Sequence, residues 1–209
     1  VLADRGFFPS EQLNTMEKFG SDLIGHPTRR VPGIEQNTGA LGHGLAVAVG
    51  MALAGKLDAR PYRVYTLMGD GELAEGSVWE ASMSATHYAL DNLVVLIDRN
   101  SLQISGRTES VMGLEPLREK FKSFGFEVRD VNGNSIPALI QVLDMVPFRV
   151  GKPNLIMAHT TKGKGISFME DDVAWHHRVP TDSELARANA ELDRAIDAWE
   201  TRYAGTDGR

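Results

Sequence analysis

From residue 62 onward, short apolar runs alternate with longer stretches of helical periodicity. Residues 62–68, 93–98, 126–131 and Asn154–His159 read as strands. The second, Leu-Val-Val-Leu-Ile, is continuously apolar, as expected of a parallel strand covered on both faces. Between them, residues 75–89, 114–124 and 136–145 carry helical patterns. Ahead of the first strand, residues 41–57 are apolar nearly all round, which predicts a buried helix. Gly50 inside it weakens the helix and so predicts a close packing contact. After Pro180, Thr181 and Glu184 form a capping-box pair that opens a last helix. Leu185, Ala188, Leu192, Ile196, Trp199 and Tyr203 recur along it at helical spacing and are expected to pack on the body. The first 38 residues are rich in Gly, Pro and polar residues and read as irregular, with Val1 to Gly6 resembling a helix entered midway. Residues 204–209 read as a flexible tail. Strand–helix alternation of this kind predicts a doubly wound parallel α/β sheet flanked by helices, with residues 1–209 forming one domain.

Composition narrows the function classes. The chain has 209 residues and no Cys, so disulfide frameworks, thiolate nucleophiles and zinc–thiolate sites drop out. No apolar run approaches the roughly 18 residues of a membrane span. With 22 Lys+Arg against 28 Asp+Glu the net charge is −6, and no basic cluster offsets it to form a nucleic-acid surface. No signal segment opens the chain, and a cytoplasmic location is expected.

The informative chemistry lies at two strand ends. Gly69-Asp70-Gly71 follows the first strand, and Asn100 follows the second, thirty residues on. In an open parallel sheet the ligand crevice lies at the carboxyl ends of the strands, so the two side chains can converge there. One carboxylate and one amide oxygen are hard ligands, suited to Mg2+ or Ca2+. A single carboxylate is too few for an all-protein cage, and Mg2+ normally completes its shell with substrate phosphates and water. The pattern therefore asks for a diphosphate partner, with Gly69 and Gly71 letting the backbone approach it. Taken alone, Gly-Asp-Gly is an ordinary strand-to-helix turn. The Asn at the matching tip is what tilts the reading toward a metal–diphosphate site.

Gly-Asp-Gly followed by an Asn about thirty residues later resembles the signature of thiamine-diphosphate enzymes. The longer string from Gly69 to Ala81 (GDGELAEGSVWEA) resembles the transketolases in particular. Gly25-His26-Pro27, Pro32-Gly33-Ile34-Glu35, Thr38-Gly39-Ala40-Leu41-Gly42, Thr161-Lys162-Gly163-Lys164-Gly165 and Trp175-His176 extend the resemblance from Gly25 to about Pro180. It implies the thiamine-diphosphate-binding fold, with Asp70 and Asn100 binding the metal through side-chain oxygens and Leu102 through its carbonyl. It further implies that Gly39, Ala40, Leu41, Asp70, Gly71, Asn100, Lys162 and His176 bind thiamine diphosphate. His26 and His176 would face the substrate as catalytic residues, and Glu75 and Glu80 would join an acidic network at a subunit interface. The glutamate that activates the cofactor belongs, in this family, to a pyrimidine-binding domain. The chain thus resembles the diphosphate-binding subunit of a split transketolase. Its expected partner is a C-terminal, pyrimidine-binding subunit in a two-by-two heterotetramer acting on sugar phosphates.

Three departures stand beside the resemblance. The family's Leu-Gly-Gln-Gly is Leu41-Gly42-His43-Gly44 here, and Trp-His-Gly is Trp175-His176-His177, so the roles of His43 and His177 stay open. The family's further active-site histidines, Ser-Gly-His-Pro and Lys-Gly-His, would lie upstream of Val1, which leads us to expect residues before it. Competing readings are a 2-oxo acid dehydrogenase E1 α-like subunit, whose Gly-Asp-Gly-Ala-x-Asn string differs from Glu72-Leu73-Ala74-Glu75, deoxyxylulose-phosphate synthase, and a non-catalytic module that keeps the fold. Gly50-x4-Gly55-Lys56 nearly spells a P-loop, but Leu57 replaces the Ser/Thr and the stretch is helical in pattern.

Overall fold

A computed structural model describes residues 1–203; the expected tail at 204–209 lies outside the described residues. The sequence folds as an α/β sandwich around four parallel strands, β1 (Val64–Gly69), β2 (Leu93–Arg99), β5 (Glu127–Asn132) and β6 (Asn154–His159), in the order β1-β2-β6-β5. Each is within two residues of its expected span. A two-residue ribbon, β3 (Leu102–Gln103) with β4 (Gly106–Arg107), and a single helical turn, α3 (Thr108–Val111), were not legible in the periodicity because neither is long enough to show one.

Alternation along the strands divides the core between two faces. Leu93, Val95 and Ile97 of β2 join Val128, Leu155 and Met157 in the larger core, against α1 (Gly44–Leu57), α2 (Gly76–His87) and α4 (Leu117–Ser123). Val94 and Ile156 point the other way and meet Val142 of α5 (Ile136–Asp144). Helices thus cover both faces, as expected of a doubly wound sheet. Because the α2 and α5 crossovers lie on opposite faces, the chain leaves the carboxyl tips in different directions and opens a crevice there.

Three packing expectations need correction. The helix expected over 41–57 begins at Gly44 and buries only one stripe: Leu45, Ala48, Val49, Ala52 and Gly55 are inside, while Val47, Met51 and Leu57 face outward. Gly50 lies on the open side, where an added Cβ would meet nothing within 4 Å; the close approach is at Gly55, whose Cβ would lie 2.7 Å from the Tyr62 ring. The stripe on α6 (Asp182–Tyr203) is the third. Its capping box forms, Thr181 N–H donating to Glu184 Oε2 at 2.8 Å and Glu184 N–H to Thr181 Oγ1 at 3.3 Å. Yet among the stripe's described side chains only Ala188 is buried, and Leu185, Leu192, Ile196 and Trp199 are exposed. Both sheet faces are already taken, so α6 runs outside and is tethered through polar contacts, with Glu191 accepting from the Ser167 N–H and hydroxyl. The first 38 residues are irregular as expected, apart from one 3-10 segment, Ser10–Thr15; Val1 to Gly6 form turns, not a helix.

Candidate functional site

β1 ends at Gly69 and turns at once into a short 3-10 segment, Asp70–Ala74. Asp70 is fully buried, and its carboxylate accepts three hydrogen bonds: Oδ1 from Gly71 N–H at 2.9 Å, and Oδ2 from Ser101 N–H at 2.6 Å and from Arg99 Nη1 at 2.8 Å, which leaves Oδ1 able to accept again. Asn100, also buried, sits at the tip of β2, and its Oδ1 accepts from Leu102 N–H at 2.9 Å. Consecutive main-chain N–H groups, of Ser101 and Leu102, therefore grip the carboxylate and the amide oxygen. That turn requires Ser101 at φ 66°, and it brings Asp70, Asn100 and Leu102 into one place as the resemblance implied. Gly71 is needed there too, because a Cβ would lie 2.9 Å from Gln103 Cβ.

Arg99 is the residue the motif reading passed over. Its guanidinium is 8% exposed and donates to Asp70, to Thr108 Oγ1 at 2.8 Å, to Glu109 at 3.0 Å and to Glu115 at 2.9 Å. Burial alone would lower its pKa; the hydrogen bonds and charges of Asp70 and Glu115 outweigh that and raise it. The signal was available, since period-2 counting from Leu93 places residue 99 on the core face. An arginine on that face at a strand tip needs buried acceptors.

Glu72 joins two loops. Its Oε1 accepts from Gly42 N–H at 2.9 Å and its Oε2 from Gly69 N–H at 3.3 Å, while Ser77 Oγ donates to Gly42 O at 2.8 Å. Gly42, at φ 80°, is clamped so closely that a Cβ would overlap Glu75 Cβ. The loop carrying Gly39, Ala40 and Leu41 is thereby fixed over the Asp70 turn. His26 packs on Gly39, whose Cβ would fall 2.5 Å from the ring. These residues line an open cavity of about 600 Å3 together with His43, Glu72 and the outer side of α1.

The remaining candidates lie apart. Lys162 and His176 share a loop after β6, where Lys164 pairs with Glu170 at 3.1 Å and Lys162 makes no ion pair among the described residues. His176 is held below its ordinary pKa by desolvation, then by the like charges of Lys162 and His177. Among the described residues no hydrogen bond, ion pair or ring contact joins His26 to His176, and His26 alone of the two lines the cavity. Glu75 and Glu80 are exposed on the first turns of α2. His43 is exposed and its Nδ1 lies 3.1 Å from Leu41 O.

The donor set suits a hard cation shared with a diphosphate. Among the described residues no group of three or more His, Asp or Glu could hold an ion alone, so one carboxylate, one amide oxygen and one carbonyl leave room for outside ligands. Residues 5–197 match the family described as "Transketolase, thiamine diphosphate binding domain". The chain belongs to the transketolase family. It is 50% identical over 205 residues to an apulose-4-phosphate transketolase subunit of Phocaeicola vulgatus, covering 98% of this chain and 73% of that one. It is 41% identical over 195 residues to a 6-deoxy-6-sulfo-D-fructose transketolase subunit of Clostridium, covering 93% of this chain and 71% of the relative. Among solved structures, the transketolase of Campylobacter jejuni superimposes with TM-score 0.73 at 28% identity, over 93% of this chain but 36% of that one. The family thus includes subunits of which this chain spans about three quarters and longer transketolases of which it spans about a third. Among the described residues no helix is long and apolar enough to cross a membrane.

Proposed function

We propose that this chain is the diphosphate-binding subunit of a two-chain transketolase that transfers a two-carbon ketol unit from a ketose to an aldose. The observation that carries the proposal is the buried Asp70–Asn100–Leu102 turn at adjacent parallel strand tips. Asp70 and Asn100 would hold Mg2+, or Ca2+, through side-chain oxygens and Leu102 through its carbonyl, and the ion would grip the diphosphate of thiamine diphosphate. Gly39, Ala40, Leu41 and Gly71 would lie against the cofactor, and Lys162 would meet its phosphate charge. When bound, the cofactor supplies the carbon centre that carries the two-carbon unit; this chain orients it. His26, set on Gly39, would hydrogen-bond substrate oxygens and relay protons, joined by His176 from the loop after β6. The relatives named for apulose-4-phosphate and 6-deoxy-6-sulfo-D-fructose favour a ketose with an anionic end, a phosphate in the first instance. A pyrimidine-binding partner subunit would complete the site in a cytoplasmic two-by-two heterotetramer, with Glu75 and Glu80 at the interface.

The test is thermal unfolding with and without Mg2+ plus thiamine diphosphate. Binding to the folded state alone at a hundredfold excess over Kd stabilises by about 2.7 kcal/mol, and Asp70→Ala should abolish the shift. Ketol transfer should appear only on mixing with the pyrimidine-binding subunit; turnover by this chain alone would overturn the two-chain assignment.

A further inference from the structure

Asp98 and Arg99 end β2 on opposite faces of the sheet, and Arg99 accounts for Asp70. The orientation of Asn100 needs a separate cause. An amide presents an oxygen and a nitrogen of nearly the same shape, so only its partners decide which of them faces a cation. Asn100 Nδ2 donates to Asp98 Oδ2 at 2.9 Å. A carboxylate oxygen is an acceptor, so the nitrogen is the end that Asp98 holds. The other end, Oδ1, is left on the side of Leu102 N–H and the Asp70 turn. Asp98 is itself held, because Thr160 Oγ1 donates to its Oδ1. Thr160 N–H in turn donates to Arg99 O at 3.3 Å, tying the tip of β6 to that of β2.

We propose that Asp98 is a positioning residue that turns the amide oxygen of Asn100 toward the metal, with Thr160 locking Asp98 in place. The inference rests on the reading of Asp70 and Asn100 as metal ligands. Both neighbours of Asp98 donate to it, so two acceptors are needed at once. An amide at this position offers one; the Thr160 hydroxyl can reverse and accept, which keeps the remaining acceptor for Asn100. A leucine offers none, which leaves the Asn100 amide held only by Leu102 N–H on its oxygen and by the residue-98 carbonyl, at 3.5 Å, on its nitrogen, so that its nitrogen turns toward the ion more readily.

The experiment measures Mn2+ affinity on the full subunit with saturating thiamine diphosphate, by the electron paramagnetic resonance signal of free Mn2+. Partners that orient a ligand typically matter by about 10- to 100-fold in metal affinity, and that loss is expected for D98L, with D98N falling well short of it. In the N100D background either carboxylate oxygen can face the ion, so adding D98L there should change affinity by less than about threefold, a coupling that a merely structural role would not produce. Equal losses in the two backgrounds, or no loss with Asn100 present, would overturn the proposal. Asp70→Ala separates the two layers: if it leaves Mn2+ binding intact, the metal site itself is misassigned, whereas loss with D70A but not with D98L defeats only the role of Asp98. Should D98L fail to fold, T160V carries the same comparison, with a smaller loss expected in the Asn100 background and none beside N100D.

Discussion

The Asp70–Leu102 turn and the two histidine loops are built on opposite principles. Around Asp70 every carboxylate oxygen has a main-chain or guanidinium donor, Arg99 is spent on four acceptors, and the residues are sealed from water. His26 and His176 are exposed, on loops with no hydrogen bond, ion pair or ring contact between the two among the described residues. The outer side of α1 beside His26 is open and apolar as well, with Val47 and Met51 outward. On the proposed reading, the charged end of the cofactor would be received by a seat already built within this chain. The end where carbon chemistry takes place meets surfaces that this chain leaves uncovered, which is where a partner subunit would fit.

The sharpest way to break that comparison is to remove the buried cation. Arg99→Met leaves the buried Asp70 carboxylate without its counter-charge, and such changes typically cost about 3–5 kcal/mol. For a chain of this size each kcal/mol moves Tm by roughly 2–4 °C, so calorimetry should register a fall on the order of 10 °C without any ligand. A wild-type melting curve from R99M would mean that the seat is not prebuilt. Next in size is Glu72→Ala. It strands the Gly42 and Gly69 N–H groups, at about 1–3 kcal/mol for each that stays buried and unsatisfied. Because the clamp also holds the loop under His26, ketol transfer by the assembled enzyme should fall further than Mn2+ affinity does. Proportional losses in both would show that Glu72 serves only the metal turn.

Much of this was legible in the sequence. The four strands and their helices followed from apolar runs of the right length, and the continuous run in β2 correctly announced a strand covered on both sides. That Asp70 and Asn100 would come together followed from strand-end placement alone. What escaped was tertiary. Glu72 lies in the turn ahead of the expected helix, and nothing local says that it reaches Gly42, thirty residues back. The α6 stripe has perfect helical spacing but no free sheet face to cover, and periodicity reports that a face is apolar, never what it meets. The same holds for α1, where counting apolar residues predicted full burial and the fold used one stripe.

Gly50 turns that last failure into a measurement. No atom lies within 4 Å of a Cβ placed there, so in this chain alone Gly50→Ala should stabilise by about 0.5–1 kcal/mol through helix propensity. Gly55→Ala should do the reverse, because its Cβ meets the Tyr62 ring. If the outer side of α1 is covered in the assembled enzyme, the gain from G50A should shrink or reverse when the partner subunit is added, as followed by Tm of the complex. An undiminished gain would leave α1 facing solvent in both states.

The smallest effect concerns the exposed loop. His176 lies below its ordinary value near 6.5 because of desolvation and then the like charges of Lys162 and His177. A histidine depressed in the fold stabilises it above the unfolded value, and that contribution is lost as pH falls through the folded one. Lys162→Met should therefore raise the His176 pKa in an NMR titration of its ring proton and flatten the loss of stability below about pH 6.5. Mg2+ and thiamine diphosphate should act in the same direction, because a diphosphate beside Lys162 neutralises the charge that repels the protonated ring. If the titration of His176 ignores both the substitution and the cofactor, then Lys162 does not face the phosphates. The preformed seat would end at the strand tips, with the loop after β6 no part of it.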